Sequence, residues 1–228
     1  MRMKQSADTK ARILDAAEEV FAREGYRAAS LRAITTRAVV NLASVNYHFG
    51  SKPELLEAVF TRRLQAMNQA RVRGLALVLE RARAAGRPPK ARKLIEAFVE
   101  ATLEHARSGP GERNFMALVL RSLSDTDHTV TRAFENFMKP TFDALRAAMA
   151  EALPALAADE LWWRLQFAVG AMIRMHHLAL AAESGGEKPA QPTVAEIIRL
   201  LTDFVNAGLS APPAAPSRHP ASAQGEPS

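Results

Sequence analysis

A 3.6-residue spacing of apolar side chains, interrupted by glycine, proline and capping residues, runs from near the start of the chain to Ser210. It restricts the protein to helix-on-helix architectures. No alternating strand pattern competes with it. The first segment, 8–24, places Ile13, Ala17, Val20 and Phe21 on one face, with Asp8 as the expected N-cap and Gly25 closing the helix. Ser30 caps a short helix over 31–38, and Asn41 caps another over 42–48. After Gly50, Ser51-Lys52-Pro53-Glu54 has the form of a capping box with proline in the first turn, opening a helix that reaches residue 83. Further helices are expected over 90–107, 114–123, 125–153 (opened by Asp125 or Thr126 and kinked at Pro140 unless its neighbours compensate), 159–183 and 194–209, the last capped by Thr193. The expected class is therefore all-α with about nine helices. Residues 211–228 carry Pro212, Pro213, Pro216, Pro220 and Pro227 among mostly alanine and serine, the composition of a disordered tail.

Composition removes several function classes. The chain has no cysteine, which excludes disulfide scaffolds, thiolate metal sites and thiol nucleophiles and fits a reducing cytoplasm. No apolar run reaches the roughly 18 to 20 residues of a membrane span. The basic start, Met1-Arg2-Met3-Lys4, lacks the apolar stretch of a secretory signal. No nucleophile–base pair, phosphate loop or metal-ligand spacing suggests an enzyme or a cofactor. His176 and His177 are adjacent and face different directions, so they are not read as a metal pair.

The first fifty residues hold three helices, the second and third short and joined by a tight turn. This is the form of a helix-turn-helix, in which the second helix of the pair enters the major groove and the first braces it. Leu31, Ile34, Ala38, Val40 and Val45 would lock the pair, leaving Ala43, Ser44, Asn46 and Tyr47 outward. On periodicity alone, a three-helix scaffold with no DNA role remains an equal alternative. Charge leans toward DNA: of the formal net +6, four charges lie before Leu64, where eleven Lys and Arg face seven Asp and Glu.

The residues themselves carry a resemblance. Leu31-Arg32-Ala33-Ile34 and the run Val40 to Leu55, above all Val45-Asn46-Tyr47-His48-Phe49-Gly50-Ser51-Lys52, closely resemble the DNA-binding domain of the tetracycline-repressor (TetR) family of bacterial regulators. Ile13-Leu14-Asp15-Ala16-Ala17 and Phe21-Ala22-Arg23-Glu24-Gly25-Tyr26 are similar to the family's first helix. The resemblance implies a bacterial cytoplasmic regulator with a DNA-binding domain over 8–54, a ligand-binding and dimerisation domain over 55–210, and the tail beyond. It implies DNA contacts by Arg32, Leu42, Ala43, Ser44, Asn46, Tyr47, His48 and Lys52, with Tyr47 and Lys52 at phosphates. Arg27 and Arg37 are further phosphate candidates. One departure stands out: Ala38-Val39-Val40 occupies a turn where the family usually has Ala-Gly-Val, and Thr35 stands where alanine is common. Either the turn is reshaped to keep Val39 at negative φ or the domain carries strain.

In the resembling family the larger half encloses an inducer pocket and forms the dimer interface. The expected pocket residues are Phe98, Phe115, Met116, Leu120, Arg121, Phe137, Phe142, Phe167, Met172 and Met175, although aromatic and methionine residues at helical spacing are ordinarily core. Arg121 and Arg174 are the cations found in apolar stretches. An inward arginine needs a carboxylate or an anionic ligand, whereas Arg174 can equally point outward. The expected dimer residues are Trp162, Ala171, Leu178, Ile198, Leu201 and Phe204. Asn114-Phe115-Met116, Glu160-Leu161-Trp162-Trp163-Arg164 and Phe167-Ala168-Val169-Gly170-Ala171 loosely resemble the fatty-acid- and acyl-CoA-responsive branch. The implied partners are a palindromic double-stranded operator, a hydrophobic small-molecule effector and a second copy of the chain, with no membrane. A helical lipid-binding or interaction protein with impaired DNA binding is the alternative.

Overall fold

In a computed structural model, residues 2–106, 111–122, 128–182 and 193–213 are described. Among them nine α-helices and no strands occur: α1 (Arg2–Glu24), α2 (Leu31–Ala38), α3 (Leu42–Phe49), α4 (Lys52–Ala84), α5 (Ala91–Ala106), α6 (Glu112–Ser122), α7 (Thr129–Ala152), α8 (Ala158–Ala182) and α9 (Val194–Ser210). No described helix is long and apolar enough to cross a membrane.

The caps set most of these boundaries. Ser30 Oγ accepts from the Ala33 amide at 3.0 Å, and Asn41 Oδ1 from the Ser44 amide at 2.8 Å. Ser51 Oγ accepts from the Glu54 amide at 3.4 Å. Thr193 and Glu196 form a reciprocal capping box at the start of α9. α1 departs from expectation by starting at Arg2 rather than at Asp8. Arg2, Met3, Lys4, Gln5 and Ala7 are all helix-tolerant and include no breaker, so the helix continues through Asp8. Pro140 does not divide α7, which runs continuously from Thr129 to Ala152 with the ring exposed. Asp125 and Thr126, the expected openers of that helix, lie outside the described residues, as does the tail beyond Pro213.

Two hydrophobic clusters hold the helices together. The first joins Ile13, Val20 and Phe21 of α1 to Ile34, Val45, Leu55, Val59 and Phe60, and extends to Phe115, Leu118 and Val119 of α6. The second joins Leu75 of α4 to Leu94 and Phe98 of α5, Met149 of α7, Leu161 and Leu165 of α8, and Leu201 and Val205 of α9. α4 belongs to both, and α6 packs into the same core as the first three helices. Where α1, α4 and the start of α6 meet, Glu18 is almost wholly buried between Arg62 and Arg63. Its Oε1 accepts from Arg62 Nε at 3.0 Å and from Arg63 Nε at 2.8 Å. Gly111 lies so close to this pair that a side chain there would collide with Arg63. At the far end, Arg164 of α8 donates to the Gly208 and Leu209 carbonyls at 3.1 Å and to that of Ala211 at 2.6 Å, a cation set on the C-terminus of α9.

Candidate nucleic-acid interface

The α2–α3 pair presents its polar side to solvent because Ile34, Ala38, Val45 and Phe49 are taken up by the first core. What remains outward on α3 is Leu42, Ala43, Asn46 and Tyr47, all exposed, with Ser44 and His48 half-buried. Tyr47 is 84% exposed, an unusual setting for a large aromatic side chain. The His48 ring meets it edge-on with centroids 5.1 Å apart. Ser44 Oγ donates to Asn41 Oδ1 at 2.9 Å, so this hydroxyl is engaged within the N-cap.

Lys52 opens α4 beside this face. Its Nζ donates to the Arg27 carbonyl at 3.3 Å and lies 4.5 Å from the centre of the Tyr26 ring, which fixes the cation at a helix N-terminus. Arg27 and Arg32 are exposed. Arg37 points back to α1, where its Nε donates to Glu19 Oε2 at 2.8 Å. That bond lowers the Glu19 carboxyl below its ordinary range and raises Arg37, so this cation is already engaged within the protein.

Val39 settles the question raised by the sequence. It lies at φ 53° and ψ 53°, in the left-handed region, and among the described residues it is the one non-glycine with positive φ. The turn keeps a glycine-like geometry with a β-branched residue in it, and its side chain is exposed. Arg12 of α1 braces this turn from outside: Nη2 donates to the Ala38 carbonyl at 2.6 Å and to the Val39 carbonyl at 2.8 Å. The Val40 amide donates to the Thr35 carbonyl at 3.0 Å, and Thr35 is buried with its hydroxyl on the Arg32 carbonyl. Nothing local in the sequence marks Arg12 for this role, since the bonds span 26 and 27 residues.

The residues expected in a pocket do not converge. Phe115 is buried in the first core, and Phe137 and Phe142 pack against it, whereas Phe98 and Met172 are buried in the second core with Met175 packed on it. Leu120 is half-buried, and the Met116 side chain lies outside the described residues. Arg121 is exposed and donates to the Arg23 carbonyl at 3.0 Å, joining α6 to the end of α1. Phe167 is 69% exposed rather than inward, because Leu161, Leu165 and Ala168 take the core side of α8. Arg174 also points outward. Phe137 of this set lines a groove of about 590 Å³ between α4 and α7. Among the described residues the buried arginine is Arg71 of α4. It lies one turn after Met67 and one before Leu75, both buried, and that spacing is the signal that could have found it.

Of the expected dimer residues, Trp162 and Phe204 are exposed, while Ala171 and Ile198 are half-buried against the second core. Leu201 is part of that core, since it falls on the inner side of α9 with Val205 and Leu209. The Leu178 side chain lies outside the described residues.

Comparisons with known proteins agree with this architecture. Residues 13–59 match the family model described as bacterial regulatory proteins, tetR family, and residues 96–208 match that of the tetracyclin repressor-like C-terminal domain. An HTH-type transcriptional regulator in the dhlA 5' region of Xanthobacter autotrophicus is 32% identical over 161 residues, covering 69% of this chain and 71% of its own. The HTH-type transcriptional regulator SrpR of Pseudomonas putida is 27% identical over 150 residues, 64% of each chain, so the match spans slightly less than two thirds of that relative. Among solved structures, FadR from Bacillus subtilis in complex with stearoyl-CoA shares the fold with a TM-score of 0.63 at 13% identity, over 87% of this chain and 98% of that one. PfmR from Thermus thermophilus gives 0.57 at 18% identity, over 87% and 98%. The caps, the α2–α3 pair and the matched models lead to one assignment: the chain belongs to the TetR family of DNA-binding helix-turn-helix transcriptional regulators and is not an enzyme.

Proposed function

We propose that this regulator is a homodimeric repressor of the bacterial cytoplasm, released from a palindromic operator by a hydrophobic small molecule of the fatty-acid or acyl-CoA class. The observation that carries the DNA-reading part is the α3 face: exposed Asn46 and Tyr47, with small Ala43 between them and the N-cap, next to Lys52 at the α4 N-terminus. Small and hydrogen-bonding side chains there can approach base edges, while Tyr47, Lys52 and Arg32 reach phosphates. The braced turn at Val39 favours this reading over a lipid-binding protein with a disabled reading head, because α3 keeps its support.

Dimerisation is supported by an exposed apolar face on α8 and α9. Trp162, Trp163, Phe167, Leu200 and Phe204 all face out, and the Trp163 and Phe167 rings stack 6.3 Å apart. Exposed large apolar side chains gathered on two helices mark a protein interface, and two-fold symmetry is what a palindrome requires. The effector acts by binding the DNA-bound and released arrangements with different affinity.

A gel-shift series with a palindromic duplex at low and moderate salt, with and without acyl ligands of several chain lengths, tests the whole reading. Sequence-specific retention that an acyl ligand abolishes is the expected result. Retention indifferent to sequence contradicts the DNA assignment. Specific retention untouched by every ligand, with no lipid seen in native mass spectra, contradicts the effector class.

A further inference from the structure

Arg71 presents an electrostatic problem. It is 6% exposed, and no described carboxylate lies within ion-pair distance. Its Nε and Nη2 both donate to the single Thr102 hydroxyl oxygen, at 3.0 and 2.9 Å. Nη1 donates to Asn68 Oδ1 at 3.0 Å and reaches the weakly accepting Met138 sulfur at 3.9 Å. The guanidinium carbon lies 4.6 Å from the centre of the Phe98 ring. These neutral partners occupy four of its five N–H groups, and the two edge donors that match a carboxylate converge on one hydroxyl. Burial lowers the guanidinium pKa to about 10, so the charge persists at neutral pH.

A buried charge with no counter-charge among the described residues is costly, and an opening that shares Asn68 with it is suited to supply one. The α4–α7 groove is lined by Gln65, Asn68, Gln69, Val72 and Arg73 on one side and by Asn136, Phe137, Pro140 and Thr141 on the other. Arginine is its one charged residue type, and no acidic residue lines it. Asn68 lines the groove and is itself bonded to Arg71, so a single side chain separates the opening from the buried cation.

We infer that this groove is an anion-binding site, in which the carboxylate of an amphipathic acid displaces the Asn68 side chain from Arg71 and takes its place beside the buried cation, with Arg73 at the rim and the apolar portion against Phe137 and Val72. The inference rests on the effector-responsive reading and gives it an atomic site and a charge requirement. On this view the effector is an anion, and the neutral analogue of the same chain length is a poor substitute.

Octanoate and decanoate, each compared with its neutral amide, serve as probes in calorimetry and thermal-shift measurements on the full chain. The acids are expected to bind at least about tenfold more tightly than the amides, and Arg71→Met to remove that difference. Asn68→Asp provides a second test, in which a built-in carboxylate beside Arg71 should raise Tm and abolish the response to the acids without deleting the arginine. Equal binding of acid and amide, or an undiminished acid preference in Arg71→Met, overturns the proposal. So does the absence of binding by either acid. The two readings can fail separately. Arg71-dependent acid binding that never alters operator retention keeps the site and removes its effector role. Release of operator by acid and amide alike, in wild type and Arg71→Met, keeps the effector role and removes the site.

Discussion

At the scale of single residues, the turn before α3 shows how an unfavourable backbone is held. A β-branched residue in the left-handed region costs roughly 1–2 kcal/mol or more, and Val39 occupies that region with its side chain in solvent. Val39→Gly should therefore raise stability by about 1 kcal/mol, seen as a higher midpoint in thermal unfolding. An unchanged or lower midpoint would show the turn to be unstrained. Arg12 is exposed, so losing it should affect Tm little, but it holds both turn carbonyls in place. Arg12→Ala should weaken operator binding several-fold in an anisotropy titration while leaving helix content unchanged. The departure at Val39 was legible as an unusual residue at a glycine position. Its dihedral angles were not, because two backbone geometries were compatible with the same letters. Arg12 was invisible, since nothing local links α1 to a turn 26 residues later.

Among the elements, boundaries marked by local chemistry were the most legible. Ser30, Asn41, Ser51 and Thr193 each cap the helix that their sequence announced. The start of α1 was misplaced because Asp8 looks like a cap wherever it stands, and only the absence of an upstream breaker argues otherwise. Buried polar groups were the least legible. Glu18 reads in sequence as one surface anion among several, yet it is sealed between α1 and α4 by Arg62 and Arg63. Glu18→Gln would leave two partly buried arginines without their shared carboxylate. A loss of about 3 kcal/mol is expected in denaturant unfolding, and a loss below about 0.5 kcal/mol would show that the cluster is solvated like a surface pair. Arg71 was hidden for a related reason. The arginines that interrupt apolar runs, Arg121 and Arg174, both point outward, whereas Arg71 follows the inward spacing of α4.

For the molecule as a whole, the proposed function depends on the pairing of two reading heads. The outward α8–α9 aromatics are unexplained in a single chain, and burying them between two copies would remove a large apolar area from water. Trp163→Glu combined with Phe204→Glu should shift the sedimentation coefficient to that of a monomer and abolish cooperative operator binding. A double variant that still sediments as a dimer would move the interface elsewhere. The fold class and the reading head were legible because they rest on helical spacing and a short dense motif. The division of the remaining apolar residues among core, exposed face and groove was not, because a phenylalanine at helical spacing carries the same signal in all three places. Phe115, Phe137 and Phe167 ended in three different settings.

The proposed function turns on α3, supported by a braced turn and flanked by Lys52, reading DNA as one half of a symmetric pair. Selection from a pool of random duplexes, at a salt concentration that suppresses non-specific binding, is the sharpest test. Enrichment of one inverted repeat is expected, with half-site centres about one helical turn, or a multiple of it, apart. That enrichment should be lost in Tyr47→Ala with Lys52→Ala. A pool left unenriched, or a single non-palindromic motif unaffected by those substitutions, would show that α3 does not read DNA in this way.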